Sequence, residues 1–160
     1  VEASNQQRSA LAQTRAVLLQ ASTALNKAGT LTALSYPPDD IKALMATARS
    51  SLKQADAQFK VFTAQAAGSE KEKALKTAMK KNFEVWYSDL DHQATWLENN
   101  QLSVFMTAPV QASQDAFDGS FNAWQQDINQ SVQRAGEQSR QSYHMSGVIF
   151  AVVVILAGLL

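Results

Sequence analysis

Asp89, Asp91 and His92 are the sequence's nearest approach to a metal-ligand set, and their spacing argues against one. On a helix, residues 89 and 92 share a face while 91 points elsewhere, so the group reads as a solvated ion pair. His144, the other histidine, belongs to a different segment. No HExxH, no Glu-x-x-His repeat, no Gly-rich phosphate loop and no nucleophile beside an obvious base occurs in the 160 residues. There are no cysteines, so thiolate chemistry and disulfides are excluded. Lys+Arg and Asp+Glu both number 14, and no overall field points to nucleic acid. The pattern is that of a non-enzyme with no metal and no cofactor.

The remaining chemistry-bearing residues have ordinary readings. Lys71, Lys73, Lys76, Lys80 and Lys81 are interleaved with Glu70, Glu72 and Glu84. That is a solvated helix face, with weak attraction to anionic headgroups as the alternative. Trp86, Trp96 and Trp124 lie in or near apolar stripes, where core packing is the default. One stretch resists this treatment. "LLQASTALNKAGTL", residues 18–31, holds a single charge, Lys27, although a helix packing one stripe normally carries charge on its other faces.

The elements that position these residues are helices. Pro and Gly are few, and the alternation expected of strands is missing. The first helix runs from about Glu2 to Leu34, with Leu11, Leu18 and Leu25 on one stripe and Ala10, Val17, Ala24 and Leu31 on a second. Two stripes imply two partners, one within the subunit and one outside it. "SYPPDD" breaks this helix, and Asp39 or Asp40 is expected to cap the next. Ile41, Met45, Ala48, Leu52, Ala55, Phe59 and Phe62 then alternate steps of four and three, the seam of a bundle. Gly68 stops the second helix, and Ser69 with Glu72 forms a capping box for the third. Leu75, Met79, Phe83, Trp86, Leu90 and Leu97 follow. "ENNQLSVFMTAP" is expected to be a loop, with Pro109 opening a fourth helix whose inner stripe is Phe117, Phe121, Trp124, Ile128, Val132 and Ala135. Short connections between helices of similar length predict an all-α, antiparallel up-down-up-down four-helix bundle.

"GVIFAVVVILAGLL", residues 147–160, carries no charge. From Met145 it would span about 24 Å as a helix, against about 30 Å of bilayer core. The expected organisation is a membrane-anchored four-helix bundle over residues 1–144 and the start of a truncated transmembrane helix over 145–160, with Tyr143 and His144 at the interface. The first residue is Val, so an upstream segment is also expected.

The strings "ALAQTRAVLLQASTALNKAGTL", "SLKQADAQF" and "TAPVQASQDAF" resemble the periplasmic sensing domain of enterobacterial methyl-accepting chemotaxis receptors, the aspartate and serine receptor family. The likeness covers essentially the whole chain. "DHQATWLENNQLSVFMTAPVQ" looks closest to the dipeptide-sensing branch. The resemblance implies a homodimer in the bacterial inner membrane whose first helices pack together. Residues 18–31 would then be covered on nearly all sides, and small residues such as Ala21, Ser22, Ala24 and Ala28 would leave a polar cavity at the interface.

In the amino-acid receptors of that family, three arginines and a threonine grip the ligand's carboxylates. The matching positions here are Ser22, Lys27, Leu31 and Val110. Two of the cations and the threonine are lost, and Lys27 lacks the bidentate fork. A hydrogen bond to a charged group contributes about 1.5–3 kcal/mol, and micromolar binding totals about 8 kcal/mol. Losing two such partners removes most of the affinity for a small amino acid, so aspartate and serine are not expected ligands. The carbonyls that hold the ligand's amine in the family match Phe105 and Ala108.

Two mechanisms follow. In the first, a periplasmic dipeptide-binding protein docks on the loops far from the membrane, with Tyr36, Asp39, Asp40 and Asn100 as candidates, although each is also an ordinary turn residue. In the second, a small uncharged ligand such as a pyrimidine occupies the dimer-interface cavity. Ser22, Asn26, Lys27 and Thr30 would meet its polar groups while Phe105 stacks on the ring. A non-sensory, membrane-anchored dimerisation bundle is the remaining class. The polar set at residues 22–30 argues against it, because a purely structural seam prefers Leu and Ile.

Overall fold

The computed structural model describes the backbone of residues 2–159 and the side chains of residues 4–136. Five helices follow in order: α1 (Glu2–Ala33), α2 (Pro38–Ala64), α3 (Glu70–Glu98), α4 (Leu102–Thr107) and α5 (Gln111–Leu159). The chain divides into two units, Val1–Trp124 and Gln125–Leu160. The first is the all-α bundle that the sequence predicts, with one addition. The stretch after Asn100 is not a plain loop; it folds into the six-residue α4, and the fourth long helix begins at Gln111 rather than at Pro109.

The turns follow from local chemistry. α1 ends where Ser35 takes φ 59°, and the Tyr36 and Ser35 amides donate to the Leu31 and Thr32 carbonyls at 2.9 and 3.1 Å. α3 ends the same way. Asn100 takes φ 58° and the Gln101 amide donates to the Trp96 carbonyl at 2.7 Å. Asp39 and Asp40, the caps expected for α2, do not cap it. Pro37 holds the cap position without a side-chain bond, and both acids fall in the first turn, where they favour the positive end of the helix dipole. The Ser69–Glu72 box is formed. Ser69 Oγ accepts from the Glu72 amide at 3.0 Å, and the Glu72 carboxylate accepts from the Gly68 amide at 2.7 Å.

The first unit buries the predicted seams. Leu11, Leu18, Ala21, Leu25 and Ala28 of α1 and Met45, Ala48, Leu52, Ala55 and Phe62 of α2 are all buried. Aromatic rings fill one half: Phe59 stacks on Phe83 at 4.0 Å, Phe62 meets Trp124 edge-on at 5.1 Å, and Trp86 lies 5.2 Å from Phe117. Polar ties clamp the outside. Arg15 bonds Asp118 at 2.8 Å, and Arg49 joins Asp91, Thr95 and Glu98. Hydrogen bonding to these carboxylates, Asp118 for Arg15 and chiefly Glu98 for Arg49, raises both guanidinium pKa values.

The second unit is the remainder of α5. Phe117, Trp124 and Ile128 of the expected inner stripe are buried and Phe121 is half-buried, whereas Val132 is 44% exposed and Ala135 is also exposed. A Cβ placed on Gly136 would meet nothing within 4 Å, which is the same absence of a covering neighbour. Among the described residues, no helix is long and apolar enough to cross a membrane. The membrane segment expected at 145–160 lies outside the residues whose side chains are described.

Candidate functional site

Where α1, α3, α4 and the start of α5 converge, the packing opens into a cavity of about 440 Å³. Ser22, Asn26 and Thr30 of α1 line one wall, spaced four apart so that they fall on one helix face. Phe105, Met106, Ala108 and Val110 form a second wall, and Gln93, Gln111 and Gln114 complete it. No lining side chain is charged. The volume is of the size that holds small molecules, about 300–1,000 Å³.

The short α4 delivers Phe105. Its ring is 7% exposed and lies directly over Gly29 of α1. A Cβ at position 29 would come within 3.0 Å of Phe105 Cζ and closer still to Cε1, so only glycine permits this approach. Pro109 stands four residues after Phe105 and has no N–H, which deprives the Phe105 carbonyl of its helical donor. The Val110 carbonyl, by contrast, is taken by the amides of Ser113 and Gln114 and by Ser113 Oγ at 2.8 Å.

Six of the eight cavity residues expected from the sequence are brought together: Ser22, Asn26, Thr30, Phe105, Ala108 and Val110. Within one chain, Lys27 and Leu31 lie elsewhere. One position further along α1 than Asn26 and Thr30, they turn toward a second hollow of about 330 Å³ shared with Tyr36, Asp40, Ala43 and Leu44. The expected docking residues Tyr36, Asp39, Asp40 and Asn100 are all exposed, Tyr36 at 49%. Tyr36 and Asp40 share that second hollow.

Four lining residues lie outside the sequence-based expectation: Gln93, Met106, Gln111 and Gln114. Met106, 64% exposed, sits at the rim. Gln111 is already engaged, donating from Nε2 to Asp115 at 2.9 Å. Gln93 carries a legible signal. It follows Trp86 and Leu90 and precedes Leu97 at the alternating seam spacing, so it is a polar residue in a core position. It is only 6% exposed, and its side-chain amide has no hydrogen-bond partner among the described residues.

The cavity in this all-helical bundle is polar and uncharged, and comparison with known proteins places the chain among ligand-binding domains. Residues 1–134 match the family model described as "Tar ligand binding domain homologue", and the chain belongs to that family. It is 60% identical over 159 residues to "Methyl-accepting chemotaxis protein IV" of Escherichia coli (strain K12), covering 99% of this chain and 30% of that protein. It is 36% identical over 156 residues to "Methyl-accepting chemotaxis aspartate transducer" of Klebsiella aerogenes, covering 98% of this chain and 29% of that protein. The chain thus spans under a third of the length of these relatives.

Proposed function

We propose that this chain is the periplasmic sensing domain of a dimeric, inner-membrane chemotaxis receptor. It takes a neutral hydrogen-bonding molecule, such as a pyrimidine, directly in the cavity. It senses dipeptides only when a periplasmic binding protein presents them. The observation that carries this reading is the absence of any charged side chain among the ten that line the cavity. A free dipeptide is a zwitterion, and burying its ammonium and carboxylate without partners costs far more than burying an amide or imide. A neutral ring loses little on entering and meets donors and acceptors on Ser22, Asn26, Thr30 and the glutamines.

The dimer is supported by the outer face of α1. Ala12, Ala16, Gln20, Thr23, Asn26, Lys27 and Thr30 are exposed, and Lys27 is the one charged residue among them. A second copy of α1 would cover this face and account for the scarcity of charge. The binding protein would dock at Tyr36, Asp39, Asp40 and Asn100, all exposed at the turns. Signalling requires the ligand to favour one arrangement of the subunits over the other, since only differential affinity shifts such an equilibrium.

The test is calorimetric titration of the chain in lipid nanodiscs with uracil, a free dipeptide, and a dipeptide-loaded binding protein. Heat with uracil and with the loaded protein, and none with the free dipeptide, is expected. Heat with the free dipeptide alone overturns the reading. Heat with the loaded protein only would move function to the turns and leave the cavity without a role.

A further inference from the structure

Gln93 combines three properties: it occupies a core seam position, it is 6% exposed, and it lines the cavity with a side chain that has no hydrogen-bond partner among the described residues. The Gln93 amide atoms are not sealed from solvent, so their hydrogen bonds come from water or from a ligand that displaces it. Other buried hydroxyls of α1 and α5 are satisfied locally. Thr14 Oγ1 donates to the Ala10 carbonyl at 2.7 Å, and Ser113 Oγ donates to the Val110 carbonyl at 2.8 Å. Buried Trp86 and Trp124 also have indole N–H groups without acceptors, but neither lines this cavity.

We propose that Gln93 determines the ligand class by reading a cis-amide edge, an N–H and a C=O side by side on one ring. A primary amide presents one acceptor oxygen and a donor NH₂ side by side. It therefore pairs at two points with a lactam or imide edge. A trans peptide bond holds its N–H and C=O on opposite sides and offers a single glutamine only one of them. The residue thus favours a cyclic imide over an extended peptide. This inference rests on the cavity reading above and goes further by naming the residue and the edge that it recognises. Gln114, half-buried on the α5 wall, is placed to meet a second polar group of the same ring.

The experiment compares uracil with 1,3-dimethyluracil, which keeps both carbonyls and loses both N–H donors. Each is titrated into the unmodified chain, Gln93→Leu and Gln93→Met in nanodiscs, with folding monitored by circular dichroism. The unmodified chain is expected to prefer uracil by about tenfold or more, the worth of one or two neutral hydrogen bonds. Both variants are expected to lose that preference. If the variants bind uracil and still prefer it, the role of Gln93 is overturned while the cavity reading stands. If the unmodified chain binds neither compound, both fall together. Should a variant fail to fold, the side-chain NH₂ resonances of Gln93 in the unmodified chain decide. Uracil must shift them and 1,3-dimethyluracil must not; equal response to both overturns the proposal.

Discussion

The two halves of the first unit are built on opposite principles. In one, Phe59, Phe62, Phe83, Trp86, Phe117 and Trp124 interlock ring against ring at 4.0 to 5.5 Å. In the other, α1 offers Ser22, Asn26, Gly29 and Thr30, and the space that large side chains would fill is left as a cavity. Apolar area and aromatic contact concentrate stability in the first half. The second half gives up packing and leaves the Gln93 side chain without a partner among the described residues, the two concessions that the proposed binding site requires. The aromatic half holds the bundle rigid while the open half stays incomplete.

The division can be broken most severely from the aromatic side. Trp86→Ala removes a fully buried ring and is expected to cost about 3–5 kcal/mol in urea unfolding, while uracil affinity of the folded protein stays unchanged. A matching loss of affinity at concentrations where the variant is folded would show that the halves are coupled. Gly29→Ala comes next. Its Cβ displaces the Phe105 ring, with an expected loss of about 1–3 kcal/mol in stability together with loss of the uracil heat. Retained binding would mean that Phe105 does not shape the cavity.

Arg49→Ala opens the surface clamp to Asp91, Thr95 and Glu98. The change is expected to be about 1 kcal/mol or less, because exposed ion pairs contribute little, and to shrink further in high salt. The smallest effect concerns Lys76, half-buried over the Phe62 ring at 5.0 Å and donating to the Gln65 carbonyl at 2.8 Å. Burial lowers its pKa from 10.5 despite the opposing pull of Glu72. The folded state therefore disfavours the charged form. That cost is fully present below the folded pKa and is relieved as pH rises toward 10.5. Melting temperatures of wild type and Lys76→Met should accordingly diverge in favour of wild type as pH rises from about 8 toward the ordinary lysine value. A difference independent of pH would exclude the burial effect.

Most of the fold was legible because its signals are local. Pro37 and Pro38 forbid a helix from continuing, Ser69 and Glu72 satisfy free amides, and the four-three alternation needs no tertiary knowledge. α4 is not legible, because six residues cannot show a period and "LSVFMT" has no side-chain cap at its start. The site was half legible. Ser22, Lys27 and Leu31 are expected from the arginine positions of the resembled family, and within one chain Ser22 lines the cavity while Lys27 and Leu31 turn to another hollow. Gln93 escapes a reading of the sequence because an amide on a helix usually faces water; its place between Leu90 and Leu97 is the available clue. Burial and the lack of a partner are properties of the assembled bundle, and no stretch of sequence displays them.

The Gly29–Phe105 contact also constrains how related sequences can diverge. Only hydrogen fits on α1 beneath that ring. A lineage that shrinks residue 105 first passes through a folded intermediate with a larger cavity, and a side chain can then grow at 29. A lineage that enlarges residue 29 first must displace the ring before any compensation exists. The two positions should therefore vary as a pair, passing in either direction through a sequence with glycine at 29 and a smaller residue at 105, so that the cavity is widest midway.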